Sequence, residues 1–355
     1  MRLNSIQFLT NTSMMMSLMF IPNLAVEMGA SYTLVGIIMC INGLCMCISS
    51  YFFSKLADTW DIKKLLDIGL LLTALAYFLQ IFAYDPVSLA LIRGAVGICI
   101  GIYPAALIMH IYGHKRSIGK FSSLGALGWA AGFLGAGIIG DYDRIFIASA
   151  LLTLFSFFIA LTIPRVEVER IKVDYFSLST IKKNLTIYLS FFLRHSGAVG
   201  CWTIFPIFMK SVGADMFWTG VLYCINPFIQ FIIMRRLDNR NMEMIVIVGY
   251  ILSAVAFISL IPVKIYYHII PCMIIIGLSW SFLFVGSTEL LLARNRDKAT
   301  SAGFLNSVIS LSMIFGALLG GIVSDMWGFS SMFMIAVVLS LISLVITVKS
   351  SIARS

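Results

Sequence analysis

The groups best suited to chemistry in this sequence stand where charge is most costly. Arg194 and His195 lie side by side in "FFLRHSGAVGCWTIFPIFMK", residues 191–210, an apolar run without an acidic residue. A guanidinium offers a planar fork of donors to a carboxylate or to clustered hydroxyls, and an imidazole titrates near neutral pH. Asn11, Thr12 and Ser13 lie in the first apolar run, and Arg93, Asn42 and Asn226 in others. Acids are scarce in such runs: Glu289 lies inside one, while Glu27, Asp141 and Asp325 lie at the ends of others. A set of basic and amide groups without a central carboxylate favours a neutral polar or anionic small molecule over a cationic one.

Other chemistries find little support. The nearest phosphate-loop lookalike, Gly113 to Phe121, is one residue too long and ends in Phe121 where a Ser or Thr would hold magnesium. His110 and His114 share a helical face but have no glutamate between them and no third ligand, so no metal site is expected. The seven cysteines form no Cys-x-x-Cys pair and read as small apolar packing residues. No Ser/His/Asp or Cys/His set declares itself, so no enzyme and no cofactor is expected.

The elements that must position these residues are membrane helices. Of 355 residues 60% are hydrophobic and only 12% charged, about half the charged share of a soluble domain. Runs of 18 or more apolar residues recur along the whole chain, and we read about twelve of them as transmembrane helices. The net charge of +9 orients these helices and does not bind nucleic acid. Lys63, Lys64, Lys182, Lys183, Arg235, Arg236, Arg294 and Lys298 fall at one set of helix ends, with only Arg144, Lys210 and Lys264 in the alternate loops. That bias predicts a multi-pass protein of the cell membrane with both termini in the cytoplasm.

The chain also repeats itself. A shift of 184 residues carries Pro22 onto Pro206, Gly29-Ala30 onto Gly213-Ala214 and Cys40-Ile41-Asn42 onto Cys224-Ile225-Asn226. The same shift carries Gly132 onto Gly316, Gly137-Ile138 onto Gly321-Ile322 and Asp141 onto Asp325. The predicted organisation is therefore an all-α protein of two six-helix bundles in parallel repeat. The first bundle spans 1–163, a polar cytoplasmic linker 164–183, and the second bundle with a short tail 184–355.

Two parallel six-helix repeats joined by such a linker resemble the major facilitator superfamily. The loop from Ser54 through Asp58 and Asp61 to Lys63-Lys64 is similar to the family's Gly-x-x-x-Asp-(Arg/Lys)-x-Gly-(Arg/Lys), with Ser54 and Asp61 replacing its glycines and Thr59 its first basic residue. Arg93-Gly-Ala-Val96-Gly97 keeps the arginine of the antiporters' Arg-x-x-Gln-Gly but has Val96 for the glutamine. The glycine-rich fifth span, Gly125 to Gly140, is similar to that of the drug/sugar:proton antiporter branch but lacks its Gly-Pro.

The resemblance implies a secondary transporter working by alternating access on a small-molecule solute, as a functional monomer among membrane lipids. It implies that spans one, four, seven and ten line the path. Arg194, His195, Asn11, Thr12 and Arg93 are then the expected solute-binding residues, flanked by Asn42 and Asn226. Adjacent helical residues diverge by about 100°, so we favour Arg194 over His195 as the group facing solute. The proton gradient is the expected energy source, with His195 and Glu289 as proton carriers and Asp58, Lys63 and Lys64 as a gating cluster. A multidrug efflux antiporter, or a non-transporting receptor or scaffold on the same fold, is the alternative.

Overall fold

The computed structural model describes residues 2–57, 60–113, 118–165, 178–237, 241–295 and 298–352. Among them the regular structure is helical: α1 (Arg2–Met19), α2 (Ile21–Glu27), α3 (Tyr32–Ala57), α4 (Ile62–Leu79), α5 (Pro86–Ile100), α6 (Tyr103–Gly113), α7 (Ile118–Ile139), α8 (Tyr142–Leu161), α9 (Leu178–Lys183), α10 (Leu185–Ser211), α11 (Met216–Ile233), α12 (Met242–Ser259), α13 (Ile270–Arg294), α14 (Lys298–Trp327) and α15 (Phe329–Ile352). Nine stretches of the described residues are long and apolar enough to cross a membrane. The joined pair α1–α2, with α7 and α10, completes the twelve expected spans. Two spans are broken in the middle. Pro22 cannot continue the first, which restarts as α2. The fourth divides into α5 and α6 at Gly101, where a β-carbon would lie 2.7 Å from the backbone nitrogen of Ser50.

The chain folds into two compact units, Met1–Ile171 with Asp215–Pro227, and Lys172–Ala214 with Phe228–Ser355. Residues 215–227, expected from sequence in the second bundle, group with the first unit. Gly220 makes this possible: its β-carbon would lie 2.7 Å from the Phe133 carbonyl oxygen and 2.8 Å from the Cα of Gly137. Beside this backbone contact the Phe133 and Tyr223 rings pack at 5.0 Å. Most of the linker, residues 166–177, lies outside the described residues.

The repeat is visible in detail. Gly29 and Gly213 both adopt φ of 89°, a left-handed conformation that glycine reaches without strain. Each ends its helix with the same bonds, Ala30 N to Ala25 O in one unit and Ala214 N to Met209 O in the other. Small residues let helices meet backbone to backbone, as membrane packing favours. A β-carbon on Gly132 of α7 would lie 2.4 Å from the Thr12 carbonyl oxygen. Its mate Gly316 of α14 stands in the same relation, at 2.5 Å, to the Ser196 carbonyl oxygen.

Asp61, where the family pattern has glycine, caps α4 by accepting from the backbone N–H groups of Lys63 and Lys64. We expect Asp61→Ala to lower stability by about 0.5–2 kcal/mol through loss of this cap. The exposed contact of Asp61 with Arg165 at 3.6 Å adds little. A thermal melt of the two purified proteins checks the expectation, and an unchanged midpoint would show the cap to be idle.

Candidate functional site

Each unit buries one arginine, and each arginine is held by the helices of its own unit. In the first, Arg93 is 1% exposed. Its guanidinium donates to Ser17 Oγ at 3.2 Å, Gln80 Oε1 at 2.9 Å and Asn42 Oδ1 at 3.1 Å, while its Nε has no partner among the described residues. Asn42 returns a bond from Nδ2 to the Arg93 carbonyl oxygen at 2.9 Å, tying α3 to α5. In the second unit Arg194 is 2% exposed. Its Nε donates to Ser253 Oγ at 2.6 Å and its Nη2 to Ser279 Oγ at 3.3 Å, on α12 and α13. The Phe257 and Trp280 rings lie 5.8 Å from the guanidinium carbon and present π-electrons to the charge. Every hydrogen-bond partner of both arginines is neutral. Two positive charges thus stand inside the units with no carboxylate counter-ion among the described residues, an expensive arrangement in a bilayer.

The other expected site residues are distributed less uniformly. His195 packs on Trp280 at 4.8 Å and Phe191 at 5.8 Å between ring centroids, against the same indole that Arg194 faces. Its Nδ1 is buried without a hydrogen-bond partner among the described residues. Asn11 is engaged within the first unit, accepting from Trp129 Nε1 at 2.7 Å and donating to the Gln7 carbonyl oxygen at 2.8 Å. Thr12 bonds back to the Phe8 carbonyl oxygen of its own helix. Asn226 is half-buried on the part of α11 that groups with the first unit. Glu289 is exposed on α13 and belongs to no ion pair among the described residues.

Of the expected gating cluster, Asp58 lies outside the described residues. Lys63 pairs with Asp67 one turn on in α4, at 2.5 Å, and Lys64 points outward. Sequence reading missed the arginines' partners Ser17, Gln80, Ser253 and Ser279. A lone serine in an apolar run carries no signal of which neighbouring helix it faces. It also missed Glu243, which accepts from Arg294 of α13 and from Ser351 of α15.

A helical membrane protein in two repeated units, each with a buried charge, is built as a solute transporter and not as an enzyme. The sequence profile of the Major Facilitator Superfamily matches residues 3–294, and the chain belongs to that family. Over 350 residues the chain is 21% identical to an uncharacterized MFS-type transporter, YttB, of Bacillus subtilis (strain 168), covering 90% of this chain and 87% of that one. Its fold is similar to that of the nucleoside transporter NupG. A crystal structure of a NupG mutant superposes with a TM-score of 0.78 at 14% identity, covering 98% of both chains. The human organic anion transporter MFSD10 (TETRAN) gives a TM-score of 0.71 at 13% identity, again over 98% of both.

Proposed function

We propose that this transporter carries a small polar or anionic organic solute by alternating access, driven by the proton gradient. The observation that carries the solute class is the pair of buried guanidiniums with no carboxylate partner among the described residues. Neutral hydrogen bonds disperse a positive charge but do not cancel it, so each unit keeps a positive interior that attracts anions and electron-rich polar groups and repels cations. The names of the structurally similar proteins, a nucleoside and an organic anion transporter, point the same way. On this reading Arg93 and Arg194 set the potential of the path, with Asn42 fixing Arg93 in place. Asn11, Thr12, His195 and Asn226 supply hydrogen-bonding surface. His195 and Glu289 are the proton carriers, and Asp58, Lys63 and Lys64 steady one end. Both termini lie in the cytoplasm.

Uptake and efflux in proteoliposomes, with and without a pH gradient, test this directly. The expected result is gradient-dependent movement of a nucleoside or an organic anion and none of a cationic dye. Movement of cationic dyes alone would replace this reading with multidrug efflux. Saturable binding without movement of any solute would favour a receptor.

A further inference from the structure

We propose that the second unit contains a water-filled port, open at the end where α10 begins and α13 and α15 finish, and that Glu243 is its proton acceptor. The port is a narrow crevice of about 30 Å³, room for about one or two water molecules, between α10, α12, α13 and α15. Its wall carries the hydroxyls of Thr186, Ser287, Thr347 and Ser350 and the Tyr250 ring, with the Glu243–Arg294 pair at its mouth. Ser287 is completely buried and its Oγ has no partner among the described residues. A hydroxyl so placed in a membrane helix requires a bond, and water in the crevice supplies it.

The polar lining continues inward. Thr186 and Ser350 hydroxyls meet at 3.3 Å, and one turn deeper Thr347 Oγ1 donates to Ser190 Oγ at 3.2 Å. Ser343 Oγ donates to the Ser190 carbonyl oxygen at 2.8 Å, and the Tyr250 hydroxyl faces Thr347 and Ser190. One further turn along α10 stands Arg194. Hydroxyls thus lead from an exposed mouth to a buried charge that has no counter-ion among the described residues, and water along this track lowers the cost of keeping that charge in the bilayer.

Glu243 is the only carboxylate lining the crevice among the described residues. The groups that face it are Arg294 from α13 and Ser351 from α15, the helices packed against α12. Lys183 donates to the Arg294 carbonyl oxygen and holds that helix end in place. A hydronium ion in the port transfers its proton to a Glu243 carboxylate oxygen. An O–H bond forms, water is left behind, and Arg294 loses its anionic partner. The tie between α12 and α13 slackens, and return of the proton to water restores it. The proton step rests on the proton-driven reading above, whereas water entry does not. A transporter that ran without a pH gradient would therefore leave the port standing.

Radiolytic hydroxyl-radical footprinting of the full chain in lipid nanodiscs tests both parts. Tyr250 is 1% exposed, so oxidation of its ring requires internal water. We expect Tyr250 to be oxidised and Phe333, fully buried against Phe208 near the opposite end of α10, to be spared. An unoxidised Tyr250 overturns the port. We also expect acidification to raise Tyr250 oxidation in the wild type, and Glu243→Gln to show the acid-level oxidation at both pH values. A Glu243→Gln protein that follows the wild-type pH response overturns the assignment of Glu243.

Discussion

Gly320→Val should yield no stably folded transporter, while Gly303→Ala on the same helix should be tolerated. A β-carbon on Gly320 would lie 2.2 Å from the Gly200 carbonyl oxygen and 2.7 Å from its Cα, so the added group meets backbone. Backbone cannot rotate aside as a side chain does, and α10 and α14 would have to separate along their shared face. Overpacking of ordinary side chains costs about 1–3 kcal/mol, and this contact should exceed that range. Gly303 has nothing within 4 Å of its would-be β-carbon and is exposed. Alanine there should be neutral or stabilising by up to about 1 kcal/mol through helix propensity. Size-exclusion profiles after detergent extraction, with thermal melts, separate the outcomes. A monodisperse Gly320→Val protein with a wild-type melt would show that the two helices are not committed to this contact.

Arg194→Leu should lose at least about tenfold in transport of whichever solute the wild type carries, yet melt no lower than wild type, because the buried charge costs about 2.5–3.5 kcal/mol. The partners left behind are already satisfied: Ser253 and Ser279 bond each other at 2.6 Å, and Ser279 also donates to the Gly249 carbonyl oxygen. Arg93→Leu should behave differently. It strands Asn42 Oδ1 in the core, at about 1–3 kcal/mol for a buried unsatisfied group, and leaves Gln80 Oε1 only the Ser17 hydroxyl at 3.3 Å. Its melting temperature should therefore fall. Transport and melting measured on the same purified variants decide the matter. Full transport by Arg194→Leu would remove the arginine from the solute path, and a lower melting point would make it a lock between α10, α12 and α13.

The membrane class, the all-α fold and the family resemblance were legible in residue types alone. Bilayer thickness fixes how long an apolar run must be, and an offset of 184 that carries Gly29 onto Gly213 reports one gene segment used twice. The structure returned that equivalence as identical φ values and matched turn bonds. Arg93 and Arg194 were legible too, because charge inside an apolar run is costly wherever it points. Where they point was decided by packing. Which way a side chain leaves its helix depends on how that helix is rotated against neighbours far along the chain. Arg194 reaches Ser253 and Ser279, residues 59 and 85 positions away, and no local pattern joins them. The same holds for Glu243 and Arg294, ordinary helix-end charges in the sequence that the tertiary fold brings together at the mouth of a polar crevice. Sequence determines which groups a membrane protein must shelter, since the cost of burial belongs to the residue. Tertiary structure determines what shelters them, since hydrogen bonds and ion pairs act only across the few ångströms that folding closes.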